Sequence, residues 1–489
     1  MKTNTLDFDA QALREKILDL AMRGKLVPQD PNDEPASVLL EKIKAEKEQL
    51  IKIKKIKKSK PLPEITDDEK PFEIPDSWEW VRLGEIGNYI QRGRSPKYDK
   101  ENFIHPIISQ KCIQWDEISL QDAKYITQDF FEKLEGYRFV RKGDILWNST
   151  GTGTVGRVNI VREKFPNVPV DSHVTLVRTN NNVNSQFIYY YLYSPIIQSN
   201  LNDYLTGTTK QKELGLNSIL KVVLPIPPLS EQSRIAAKIA QLFALLRKVE
   251  SSIQQYANLK DLLKSKLLDL AMRGKLVDQE PNDEPANVLL DKIKAEKDQL
   301  VKEKKIKKSK PLPEITDGEK PFRLPQGWAW VRLGEIGLIT TGNTPTKKNS
   351  DFYGGTIPLI KPADIQNFNI NYDTEDLLSE KGEKKGRLAY KNDILVTCIG
   401  NLGRNNIVNR KVAFNQQINS ISPLTINSRL LHYFMLSSFF VSSMYSYASA
   451  TTLPILNKTK LSYLVIPLPP LSEQSRIVSK LEQLFTLIG

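Results

Sequence analysis

The most regular alternation of apolar and polar positions in the chain starts at Ile235. It continues through Ile239, Leu242, Leu246, Val249, Ile253, Tyr256, Leu263, Leu267 and Leu270, in steps of four and three that only Lys260 interrupts. Such a repeat keeps one helical face apolar and predicts a coiled-coil seam. A helix over Glu231–Arg273 would be about 65 Å long at 1.5 Å per residue. Ser230, after Pro227-Pro228, offers an N-cap and Gly274 a C-cap.

Both ends of the chain carry pieces of the same pattern. Leu13, Ile17 and Leu20 repeat Leu263, Leu267 and Leu270, while Ile477, Leu481, Leu484 and Ile488 repeat Ile235, Ile239, Leu242 and Leu246. The two terminal helices are therefore expected to supply the two parts of a second long helix, antiparallel to the central one, closing a pseudo-twofold ring of domain, helix, domain, helix. About a dozen positions of that second helix have no counterpart. This predicts either an asymmetric ring or a shortened copy.

The repetition extends beyond the helices. Asp19–Gly87 and Asp269–Gly337 match at a constant offset of 250, with 56 of 69 positions identical. Both copies run through DLAMRGKLV, PNDEPA, KIKAEK and KIKKSKPLPEIT to WVRLGEIG, and IPPLSEQSRI from Ile226 returns as LPPLSEQSRI from Leu468. Between these blocks, 88–224 and 338–466 resemble each other only faintly. Gly93-Arg94-Ser95-Pro96 aligns with Gly342-Asn343-Thr344-Pro345, Gly143-Asp144-Ile145-Leu146 with Asn392-Asp393-Ile394-Leu395, and Val155-Gly156-Arg157 with Leu402-Gly403-Arg404. Two copies of one fold have kept their frame and changed their middles. That pattern points to two copies of one partner and two different targets.

The divergent segments read as mixed α/β. Short β-rich runs at Asp144–Trp147, Arg157–Val161 and His173–Val177 lie between Gly, Pro and Asn turns, and helical stretches are predicted at 186–202 and 428–447. The expected domains are 1–75, an N-terminal conserved helix and basic linker, and 76–225, a first recognition domain. After them come 226–325, the central conserved region, 326–467, a second recognition domain, and 468–489, a conserved C-terminal helix.

Composition narrows the function. Seventy Lys and Arg against 57 Asp and Glu give a formal charge of +13, which suits an acidic partner such as nucleic acid. Cys112 and Cys398 are the only cysteines, and His105, His173 and His432 are dispersed. This excludes a disulfide scaffold and argues against a metal cluster. Leu430–Ala450 lacks acidic residues, Lys and Arg but carries six serines, so it reads as a buried helix and not a membrane span. A cytoplasmic protein without membrane contact is expected.

Catalytic signatures are missing. Gly151-Thr152-Gly153-Thr154-Val155-Gly156 fits G-x-G-x-x-G, yet the next residues, Arg157–Val161, predict a strand and not the helix whose N-terminus would hold a pyrophosphate. The sequence has no G-x-x-x-x-G-K-[ST] loop, and both Pro-Pro pairs precede Leu where an amino-methyltransferase motif needs an aromatic residue. A cofactor-free, non-catalytic chain is expected. An enzyme with its own recognition domains and a coiled-coil adaptor are the rival classes.

The lysine-rich runs 42–60 and 292–310 read as solvated helices running into basic tails closed by Pro61 and Pro311. Phosphate contact would add salt-dependent affinity there without sequence information. Base reading must come from residues that differ between the domains. The candidates are Arg92, Arg94, Ser95 and Lys97 in one loop, against Asn343, Thr344, Thr346 and Lys347 in the other. Arg94 has the donors for guanine, and Asn343 the donor–acceptor pair for adenine. Arg157, Arg404 and the pairs Thr208-Thr209 and Thr451-Thr452 suit phosphates, and Lys210, Lys361 and Gln416 are further polar candidates.

With these blocks laid out, nearly the whole chain resembles the specificity subunit of type I restriction–modification enzymes. The resemblance rests on the twin PPLSEQSRI and LAMRGKLV blocks, Trp78–Gly87 and Trp328–Gly337, and GNTPTKKNSDFYGGTIPLIKPADI from Gly342. It implies two target-recognition domains that each read half of a bipartite double-stranded DNA site, with the conserved helices setting the spacer. It also implies that these helices dock two DNA methyltransferase subunits, through positions such as Ile235, Leu242, Leu246, Ile253, Leu263, Leu267, Ile477 and Leu481. A restriction/translocase subunit would join them. S-adenosylmethionine and ATP would belong to those partners.

Overall fold

The computed structural model describes residues 8–56, 60–162, 165–207, 212–449 and 453–489. It divides into two compact units, one ending at Ile253 and one beginning at Gln254. Each unit has its own apolar core.

The first unit opens with helix α1 (Ala10–Met22), whose Asp9 side chain accepts from the Ala12 amide. The helix stops at Gly24, where φ is +67° and an added Cβ would lie 2.5 Å from Pro75 Cγ, so glycine is required twice over. Helix α2 (Ala36–Lys52) buries Ala36, Leu39 and Ile43. Strand β1 (Glu79–Arg82) then leads into an antiparallel sheet of β2 (Gly87–Arg92), β3 (Ile145–Asn148), β4 (Val158–Ile160) and β5 (Val174–Thr179), in spatial order β2-β5-β3-β4. All four β3 residues are buried, as a strand packed on both faces requires. Helix α3 (Ser185–Tyr193), capped by Asn184, packs on the sheet. Strand β6 (Val223–Ile226) returns to pair with β1, Glu79 opposite Ile226. The entry and exit strands of the domain are therefore neighbours, and the chain passes straight from β6 into helix α4 (Leu229–Met272).

The second unit repeats this plan. After α5 (Ala286–Lys302) come β7 (Ala329–Arg332) and a sheet of β8 (Gly337–Thr341), β9 (Ile394–Thr397), β10 (Asn405–Ile407) and β11 (Ile418–Pro423), ordered β8-β11-β9-β10. Helix α6 (Ser428–Met435) follows, then β12 (Val465–Leu468), which pairs with β7, and α7 (Leu471–Ile488). The strand order matches the first unit, while the smaller sheets differ. One is three-stranded, around Lys124–Ile126, and the other four-stranded, around Tyr353–Ile360.

The fold is mixed α/β, as the sequence predicts, and α4 spans 44 residues close to the expected limits. Its seam is buried only at its ends. Ile235, Ile239 and Leu246 join the first core and Leu267 the second, whereas Val249, Ile253, Tyr256 and Leu263 are exposed. The helical stretches 186–202 and 428–447 are each broken, at Ser194-Pro195 and at Leu436-Ser437. Proline has no N–H to continue the first of them. The apolar run 430–449 accordingly folds into short helices that bury Leu430, Leu431, Phe434, Met435, Phe440 and Met444. No helix among the described residues is long and apolar enough to cross a membrane.

Candidate nucleic-acid interface

The loops of the first unit converge at one end of its sheet. The Gly93 amide donates to Val174 O (3.1 Å), the Ser149 amide to His173 O (2.9 Å), and the Leu214 amide to Ser149 O (2.8 Å). These bonds gather the loops after β2, after β3 and before β5 with Leu214. An added Cβ at Gly93 would lie 1.9 Å from Val170 O, and at Gly342 2.2 Å from Asn415 O. Close backbone approach therefore explains the glycine that both copies share.

On this frame the candidate side chains have different surroundings. Arg94 is exposed and pairs with Glu135 at 3.0 Å, with both partners well solvated. A solvated pair of this kind stabilises little, so the guanidinium can leave Glu135 for another partner at small cost. Ser95 and Lys97 are exposed beside it. Arg92 points back into the protein, holding Glu213 at 2.6 Å and Leu214 O at 2.8 Å. It supports the loop cluster from behind. Arg157 donates to Gln114 Oε1 (2.9 Å) and is half-buried, while its counterpart Arg404 is exposed.

In the second unit, Asn343 donates through Nδ2 to Lys385 O (2.8 Å), while its buried Oδ1 has no partner among the described residues. Thr344 donates to Gln416 Oε1 (2.8 Å), which links the loop after β8 to the loop before β11. Thr346 is exposed. Lys347 and Lys361 both reach Asp376, each at 2.9 Å, and together they hold its carboxyl below the usual range. Thr208, Thr209, Lys210, Thr451 and Thr452 lie outside the described residues.

Other polar groups at the loop end of the first unit escape a motif search. Thr150 Oγ1 meets His173 Nδ1 at 2.6 Å, and Asn148 Nδ2 donates to Gln110 O (3.0 Å). Asn148 Oδ1 and Gln110 Oε1 are buried without partners among the described residues. The divergence of these loops between copies is their only signal in the sequence.

The glycine-rich run 151–156 forms a turn, and strand β4 follows it as predicted. The lysine-rich helices keep most of their lysines exposed, as expected, with one exception in each. Lys47 turns inward and donates to Gly84 O and Glu85 O (2.9 Å each), and Lys297 donates to Gly334 O. Burial lowers the pKa of both ammonium groups. They hold the ends of short helices and are withdrawn from solvent, because α2 and α5 pack one face into the core.

The repeated blocks meet each other. Glu231 and Gln232, at the start of α4, are buried. Trp78 Nε1 donates to Glu231 Oε2 (3.0 Å), Gln232 Oε1 accepts from the Asn184 amide (2.9 Å), and Arg234 pairs with Asp33 (2.6 Å). In the second unit Trp328 donates to Glu473 (2.8 Å), Gln474 accepts from the Asn427 amide (2.9 Å), and Arg476 pairs with Asp283 (2.6 Å). Arg82, only 2 % exposed, donates to Glu69, Pro63 O, Glu64 O and Lys221 O, and Arg332 repeats this set. Much of the sequence identity is thus an internal clamp that fixes each domain to the helix leaving it. Ile235, Leu246, Leu267, Ile477 and Leu481 belong to these cores, which removes them from the surface available to a partner. Leu242 is half-buried, and Ile253 and Leu263 stay exposed.

Known proteins share this organisation. The family model described as the type I restriction modification DNA specificity domain matches residues 75–255 and again 325–489. The EcoAI specificity subunit of Escherichia coli is 32% identical, with 98% of this chain and 89% of that protein covered. The EcoEI specificity subunit, also from Escherichia coli, is 35% identical over 80% of this chain and 73% of its own length. In fold, the chain is similar to one from a type I R-M system solved for its complex assembly and conformational transition, with a TM-score of 0.58 at 21% identity, covering 86% of this chain and 92% of that one. The HsdS subunit from Thermoanaerobacter tengcongensis gives a TM-score of 0.51 at 20% identity, again covering 86% and 92%. On the two matched domains and the near full-length relatives, this chain belongs to the type I restriction modification DNA specificity family.

Proposed function

We propose that the chain reads a bipartite double-stranded DNA target, one half-site per sheet, through the loops gathered after β2, after β3 and before β5, and through their counterparts after β8, after β9 and before β11. The carrying observation is that two sheets of identical strand order stand on near-identical clamps while their loop ends differ. A fixed frame with variable loops suits two different sequences presented at a set spacing. Arg94 and Asn343 are the leading base readers, and Arg404 suits a phosphate. The divisions 76–225 and 326–467 serve as the two recognition domains.

The chain itself is non-catalytic in this reading. It docks two copies of a DNA methyltransferase through the exposed part of α4 and the helices beside it, and a restriction/translocase subunit joins that assembly. Methyl transfer and cleavage belong to those partners.

Exchange of residues 88–224 for the same segment of a relative with a known target, in the assembled methyltransferase, tests the reading. One half of the methylated motif is expected to change while the other half and the gap stay. A change in both halves, or in neither, overturns it.

A further inference from the structure

Each unit sets its recognition-domain helix against the first turns of the long helix that follows, and the two junctions are built differently. In the second unit Arg429 of α6 pairs with Glu482 of α7 at 2.7 Å. Tyr433 packs edge-on against Phe485 with centroids 5.6 Å apart, as Tyr190 does against Phe243 in the first unit at 5.9 Å, but here Phe368, from the hairpin 365–370, also reaches Phe485 at 6.2 Å. That junction is filled by its own side chains. In the first unit the positions of Arg429 and Glu482 hold Gln186 and Ala240, which form no ion pair. A cleft of about 790 Å³ stands open there.

The cleft has a distinct chemistry. Ala236, Ala237 and Ala240 make a floor of small residues along α4, and Tyr189, Tyr190 and Tyr193 of α3 form an aromatic wall. Arg14 from α1, Arg162 from beyond β4 and Arg247 from α4 surround it, against one lining carboxylate, Asp116. Arg14 is held by Glu250 at 2.5 Å, and Arg162 lies over the Tyr189 ring at 5.3 Å. Among the described residues neither Arg162 nor Arg247 has an ion-pair partner, and both are exposed.

Position separates this cleft from the loop cluster. Ile145 pairs with Ile160, and Asn148 with Val174, so Arg162 follows the end of the sheet opposite the gathered loops. An alanine floor lets a helix backbone approach closely, as small residues do wherever helices pack tightly. The aromatic wall takes a large apolar side chain, and the guanidinium groups take carboxylates.

We infer that this cleft receives an acidic helical segment of a methyltransferase subunit, carrying a large apolar residue between its carboxylates. The inference rests on the docking role proposed above and goes beyond it. The two docking sites are unequal, because Arg429, Glu482 and Phe368 together occupy the second junction and the partner completes the first.

The test uses the full chain titrated with its methyltransferase, read by native mass spectrometry and calorimetry, with two variants. R162E/R247E reverses the charge, and Q186R/A240E installs the ion pair of the second unit while keeping the arginines. In both variants one methyltransferase is expected to bind as in the parent chain and the other at least tenfold more weakly. Two methyltransferases bound with parental affinity by either variant would overturn the inference. So would a loss of DNA affinity by R162E/R247E with methyltransferase binding intact, which would make the cleft a nucleic-acid surface. A parent chain that binds no methyltransferase would instead refute the underlying docking role.

Discussion

Trp78 donates its indole N–H to Glu231 across 153 positions of sequence, and Trp328 does the same to Glu473 across 145. The tryptophan stands where the chain enters each recognition domain and the glutamate where it leaves. Burial pushes both carboxyls above their usual range, and the indole bonds only partly offset that shift. Replacing Trp78 by Phe and Glu231 by Gln, singly and together, should give a coupling of about 1–3 kcal/mol in a double-mutant cycle of unfolding. A coupling near zero would show that the two side chains merely neighbour each other.

Arg82 and Arg332 anchor the other side of the same joint. Each is almost fully buried, and its guanidinium serves a carboxylate and three backbone carbonyls. Arg82→Ala removes those bonds and should destabilise the first unit by about 1–3 kcal/mol, seen in chemical denaturation. Lysine cannot reproduce the fork, so Arg82→Lys should recover only part of the loss.

Acid stability follows from the same pair. Arg82 holds the Glu69 carboxyl at about 2, against an ordinary value of 4.5, and Arg332 does the same for Glu319. A depressed folded-state pKa stabilises above the unfolded value, and that contribution is lost as pH falls from about 4.5 toward 2. Glu69→Gln/Glu319→Gln should therefore remove part of the fall in melting temperature over that window. An unchanged pH profile would place the acid sensitivity elsewhere.

Cys112 and Cys398 are buried, and burial raises both thiols, Cys398 to about 12. Because the thiolate is the reactive form, neither should react with a disulfide reagent in the native protein, and both should react in denaturant. Prompt labelling of the native chain would show that the sheet around Cys398 opens readily.

What the sequence reveals and what it hides divide along physical lines. The long helix, the paired units and strands β3, β4 and β5 are legible because periodicity and duplication report local geometry. The clamp is hidden, since Asp33, Trp78 and Arg234 are brought together only by tertiary folding. Repeated helix positions such as Ile235 and Ile477 look like docking surface until burial places them in cores. The loop side chains are hardest to read, because Arg92 and Arg94 differ little in a sequence, yet one braces the loop and the other faces solvent.

At the loops, Arg94→Ala should relax recognition at one position of one half-site, costing about 1–3 kcal/mol of discrimination, and Asn343→Ala should do so in the other half. Competition binding of the assembled complex to sites mutated base by base would measure this. A uniform loss at all positions would make these residues phosphate contacts instead.

In the proposed function, this chain gives a methyltransferase a two-part DNA target. The most direct test is to map methylated bases across the host genome by long-read sequencing, with and without the gene. One bipartite motif with a fixed gap is expected to lose its methylation when the gene is deleted and to regain it on complementation. Methylation that persists unchanged while the methyltransferase is expressed and active would contradict it.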